Sequence, residues 1–139
     1  MIAVLGVNWL AVIVAAVVSL IIGNLWYSPS FFGKQWMRIS GHSTKDMKKG
    51  TKGLSSDTMV KGFILLLVQA FVLAQLFGWI VVSTVVDGVI IGFWVWLGFI
   101  AVTKMMSVLH GKKTIEWFYL SSGHYLVSTL AMSIVLTTL

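Results

Sequence analysis

From Phe63 to Met105 the sequence runs almost without charge, and its length decides what the chain can become. At about 1.5 Å per residue this run would reach about 65 Å as one helix, roughly twice a hydrocarbon core of about 30 Å. It has to double back. Ser83, Thr84, Asp87 and Gly88 are its only cluster of turn formers and capping residues, which predicts a tight turn there with Asp87 as N-cap of the next helix. Two further apolar runs, Ile2–Trp26 and Ile115–Leu136, are each long enough for one crossing. The expectation is an all-α polytopic membrane protein, a single four-transmembrane-helix bundle over residues 1–139. Its spans should lie at about 2–27, 59–82, 87–108 and 114–137, with a basic loop at about 28–58.

Composition points the same way. Hydrophobic residues make up 58% of the 139 and charged residues 10%, against roughly 25% charged in an ordinary soluble domain, and mean hydropathy is +0.96. Too few polar side chains exist to cover a globule, so the surface must face lipid. The first run is longer than the roughly 7–15 residues of a signal h-region, and neither a basic n-region nor a small-x-small cleavage pattern flanks it. It is expected to be retained as a span. The chain has no cysteine, which excludes disulfides and thiolate metal sites.

All ten basic residues fall between the first and second runs or around the link between the third and fourth. Lys34, Arg38, Lys45, Lys48, Lys49, Lys52 and Lys61 form the first group, and Lys104, Lys112 and Lys113 the second. The positive-inside rule then places both basic segments in the cytoplasm and both termini outside.

The stretch WYSPSFFGKQW begins where the first apolar run ends. Trp26, Tyr27, Phe32 and Trp36 are side chains that settle at headgroup depth, and Lys34 and Arg38 can extend toward anionic lipid. Ser28 and Pro29 read as the N-cap and first residue of a short interfacial helix, with Gly41 as its stop. Along that helix Phe32, Trp36 and Ile39 recur at helical spacing, opposite Lys34 and Arg38. The following GHSTKDMKKGTKGLSSD is a basic loop too poor in apolar residues for a domain, and Ser55, Ser56 or Asp57 should cap the second span. Anionic headgroups account for its charge, so no nucleic-acid partner is expected.

Small residues recur four apart at Ala11, Ala15, Ser19 and Gly23, at Ala70, Ala74 and Gly78, and at Gly88 and Gly92. Such stripes let helices approach closely in lipid, either inside one bundle or between copies in a homo-oligomer. Asn8, Gln69, Ser121, His124 and Ser128 are the polar groups at membrane depth that could line a pore or hold a ligand. Trp117, Ser121, His124 and Ser128 share one face of the fourth span, and His124 reads either as a proton acceptor or substrate hydrogen-bonder, or as a neutral structural histidine bonded to Gln69, Asn8 or a backbone carbonyl. Gln75 should point away from Gln69, and Glu116 should pair with Lys104, Lys112 or Lys113. His42, His110 and His124 lack metal-ligand spacing, and no nucleophile elbow, phosphate loop or carboxylate pair is present. No enzyme, cofactor or metal is therefore expected.

With VNWLAV, WYSPSFFGKQWM and SSGHYLVSTLAMSIVL in view, the chain resembles a family of small four-helix membrane proteins of unknown function, found in bacteria and some fungi. WYSP-x-x-FGK-x-W is the most specific part of the resemblance. Its matched positions are Asn8, Trp9, Trp26, Tyr27, Ser28, Pro29, Phe32, Gly33, Lys34 and Trp36. The resemblance implies the same four spans, in a bacterial inner membrane, and assigns no residue a role. Two functions then stand open: a small oligomeric channel or transporter for protons or a small solute, lined by Asn8, Gln69 and His124, or a non-transporting module that binds anionic lipid or a partner membrane protein.

Overall fold

The computed structural model describes residues 6–40 and 56–139; Gly41, Ser55 and most of the basic loop lie outside that range. Within it the chain is all helical, and four helices are long and apolar enough to cross a membrane. We label them with the short helix between the first two: α1 (Trp9–Trp26), α2 (Gly33–Ser40), α3 (Ser56–Ile80), α4 (Val85–Leu109) and α5 (Ile115–Thr138).

Capping chemistry sets the helix starts. Asn8 is the N-cap of α1, its side-chain oxygen accepting from the Ala11 amide at 3.3 Å. For α4 the cap is Thr84, whose hydroxyl accepts from the Asp87 amide at 3.1 Å. Asp87 was expected in that role and stands instead in the first turn, where its charge favours the positive end of the helix dipole. Asp57 likewise lies inside the first turn of α3 and pairs with Lys61 one turn later at 2.8 Å. The turn between α3 and α4 also comes earlier than its polar residues suggest. Val81 adopts a positive φ of 62° and the Val82 amide reaches back to the Phe77 carbonyl at 2.9 Å, closing α3 as a Schellman motif.

In space the spans do not follow chain order. α1 packs between α3 and α5, and α5 packs between α1 and α4, while α3 and α4 share a turn without packing along their lengths. The core joins three helices: Val12 and Ala15 from α1, Ala70, Leu73 and Phe77 from α3, and Met132 from α5. Large apolar side chains such as Leu65, Trp94 and Phe99 point outward, more than 60% exposed, as a lipid-facing surface requires.

The small-residue stripes on α1 and α4 are occupied within this one chain. Ala11, Ala15 and Ser19 are buried, and the Ser19 and Ser128 hydroxyls meet across the α1–α5 seam. A Cβ on Gly23 would lie 3.2 Å from His124 Nε2. On α4, a Cβ at Gly88 would lie 2.5 Å from Thr137, and one at Gly92 would collide with the Ser133 side chain. The α3 stripe is shared unevenly: Ala70 is buried, Ala74 half-buried and Gly78 exposed.

Midway along α4, Trp96–Ala101 forms a single π-helical turn, with the Val102 amide bonding to Leu97. A regular helix advances about 100° per residue, so Lys104, twelve positions after Gly92, would stand about 120° off the face of Gly92. The extra residue taken up by a π-turn reduces that to about 20°. Burial agrees with the shifted register: Gly92 and Ala101 are buried, Trp96 and Lys104 half-buried, and Phe99, Val102 and Thr103 exposed.

Candidate functional site

The basic ends of the spans meet at the amino-terminal half of α5, and the side chains there are rings and cations. α1 ends at Trp26, whose indole N–H donates to the Leu120 carbonyl at 3.1 Å. Gly123 makes this approach feasible, since a Cβ there would already lie 3.3 Å from the indole. From the other side, the Trp96 indole in the π-turn donates to the Ser122 carbonyl at 2.8 Å. Two tryptophans from different spans thus grip the backbone of α5 within three residues of each other.

The WYSP stretch then turns tightly. The Ser28 carbonyl accepts from Phe31 at 3.1 Å and from Gly33 at 2.9 Å, Pro29 takes the second corner of the turn, and the Ser28 hydroxyl donates back to Leu25 at 2.7 Å. Ser28 therefore closes the turn and does not cap α2, which begins at Gly33. Only glycine fits at 33, because a Cβ would lie 2.6 Å from the Ser28 carbonyl oxygen. α2 packs on α5 with Gly33 and Met37 buried, Gly33 against the Tyr27 and Ser28 carbonyls of the turn, while the expected Phe32, Trp36 and Ile39 stripe is only half-buried. Met37 was missed, although its four-residue spacing from Gly33 is a helical signal.

Tyr27 sits beneath α2, its ring 5.7 Å from Trp36 and 5.1 Å from His124, with its hydroxyl 3.5 Å from His124 Nδ1. Burial pushes its phenol up to about 12, with the nearby Tyr125 adding and a hydrogen bond with Ser121 opposing. It stays protonated at physiological pH. The Trp26 ring also lies against Phe32, tilted by 41° with centres 4.6 Å apart, and 6.2 Å from His124. His124 therefore has neighbours in α1 and its C-cap; Asn8 is at the other end of the bundle.

Glu116 pairs with Arg38 at 3.1 Å, both side chains well exposed, and not with the lysines expected. Arg38 is thereby turned back toward the protein while Lys34 remains exposed. The lysines have ring partners instead. Lys104 Nζ lies 4.9 Å from the Trp117 ring centre and 4.6 Å from that of Tyr125, and Lys113 Nζ lies 5.4 Å from Trp117.

The remaining pore candidates do not join this cluster as a set. Asn8 donates to the Leu139 carbonyl at 3.1 Å and borders a cavity of about 210 Å³ with Phe77, Val82 and Thr137 at the opposite end. Ser128 is engaged with Ser19, Gln69 is half-buried on α3, and Gln75 is buried. Ser121 and His124 do come together, around Tyr27. Along α5 the Ser122, Ser133 and Thr137 hydroxyls bond to carbonyls four residues earlier, which satisfies them within the helix. Among the described residues, Thr129 has the buried hydroxyl without a partner. Among the described residues, no three His, Cys, Asp or Glu side chains gather as metal ligands.

Four membrane-length helices, with rings and cations collected at one end, define a small polytopic membrane protein. Residues 10–137 match the family described as a protein of unknown function, DUF1761, and the chain belongs to that family. No curated protein matches the chain, and no solved structure does.

Proposed function

We propose that this protein is a non-transporting membrane module that recognises anionic lipid at the leaflet bordering its basic end. In a bacterial inner membrane the positive-inside rule makes that leaflet the cytoplasmic one, with both termini outside. The observation that carries the reading is α2. This helix packs on α5 with Met37 buried and the Arg38–Glu116 pair joining the two, and it presents Lys34 outward beside a belt of rings. Basic residues next to such a belt attract acidic headgroups by about 1 kcal/mol each. Further support comes from the polar groups a conduit would need: Asn8, His124 and Ser128 have their own partners, at different levels of the bundle.

The test uses full-length protein in vesicles of phosphatidylcholine with a minority of phosphatidylglycerol. Energy transfer from tryptophan to labelled lipid should favour the acidic species, and the preference should fall in the Lys34→Gln, Arg38→Gln double variant. Proton and solute flux should match protein-free vesicles. A flux that disappears in His124→Ala would replace this reading with the transport one.

A further inference from the structure

Lys104 and Lys113 reach the same indole from different elements, α4 and the link that follows it. Their charges are close enough to act on one another. Nothing acidic compensates them among the described residues: Glu116 is held by Arg38, Asp57 by Lys61, and Asp87 lies in the first turn of α4 at the far end. Two ammonium groups converging without a carboxylate are mutually repulsive, and an anion between them removes that cost. The first turn of α5, which follows the Thr114 cap, adds its positive dipole end close by.

We propose that the notch between α4 and α5, walled by Trp117 and Tyr125, binds one phosphate-bearing anion, the headgroup of an acidic phospholipid. Lys104 and Lys113 donate to its phosphate oxygens, while the rings on which both ammonium groups lie keep the two cations together and shield the contact from water. Lys104 reaches this position only because the π-turn rotates the lower part of α4. The inference deepens the headgroup reading above and rests on it. It differs in demanding a single stoichiometric site besides general attraction to the leaflet.

Native mass spectrometry of the full-length protein, released from phosphatidylcholine nanodiscs containing phosphatidylglycerol, tests it. One phosphatidylglycerol should remain bound. Lys104→Gln with Lys113→Gln should lower its retention roughly ten-fold or more, as expected for loss of two cations at a phosphate, while Lys104→Arg with Lys113→Arg retains it. Lys34→Gln should leave this bound lipid in place. Should Lys104→Gln disturb folding, Lys113→Gln alone, in the exposed link, should still weaken retention. Inorganic phosphate that displaces the lipid would keep the site and assign it to free phosphate. Equal retention in the double glutamine variant overturns the proposal. Acidic-lipid preference in vesicles without a retained lipid would sink this site and leave the α2 reading standing; loss of that preference as well would sink both.

Discussion

The two halves of α5 solve different problems with different chemistry. Toward its carboxyl end, glycines and hydroxyls bring the helices close: Gly88 and Gly92 admit Thr137 and Ser133, and those hydroxyls bond within their own helix. Toward its amino end, tryptophans from α1 and α4 hold the backbone from both sides, and lysines lie on the rings. In the first half every buried side-chain polar atom but the Thr129 hydroxyl has a partner in the protein. In the second, cationic charge is left over. Close packing holds the bundle together, and the unmatched charge is the feature on which the proposed lipid site rests.

That contrast can be broken most severely at Gly92. Replacement by leucine would drive a side chain into Ser133 and should destabilise the protein by about 2–3 kcal/mol, typical of overpacking; unfolding in mixed micelles measures it, and a change below about 0.5 kcal/mol would refute the packing account. Trp96→Phe keeps the ring and removes the donor to Ser122, with an expected cost of about 1 kcal/mol. The same substitution should loosen Lys104, seen as faster hydrogen exchange below the π-turn. Ser19→Ala should cost about 0.6 kcal/mol, the average for hydrogen bonds between spans. The smallest effect belongs to Arg38→Gln, within about 0–1 kcal/mol because the ion pair is exposed, and it should vanish in high salt. A large, salt-insensitive loss there would mean that the two halves do not differ as described.

How much of this was readable beforehand depends on whether the signal was local. The number of membrane-length helices followed from apolar length, since no water-soluble alternative exists for such runs, but the first, expected from about residue 2, begins only at Trp9, after the Asn8 cap. The stripes at Ala11–Gly23 and Gly88–Gly92 were visible as spacing, but which helix would fill them was not, because any helix with a complementary face satisfies a four-residue repeat. Asp87 was mistaken for a cap because Thr84, three residues earlier, offers the same chemistry and the turn is set by Val81, a residue without turn propensity. Glu116 was assigned to lysines near in sequence, whereas its partner Arg38 arrives through the fold of the WYSP turn. The gathering of Lys104, Lys113, Trp117 and Tyr125 depends on a local departure from helical periodicity that residue spacing alone does not announce.

The π-turn also affects how relatives of this chain should be compared. A relative of the same length whose helix stayed regular between Trp96 and Ala101 could preserve Gly88 and Gly92 against α5 while directing the side chain now at 103 inward and swinging the residue aligned with Lys104 out to the acyl chains. Ungapped columns through this span would then equate positions that face opposite surroundings. Judged by its surroundings, a lysine one column away in such a relative would be the counterpart of Lys104, and a threonine aligned with it would not be a loss.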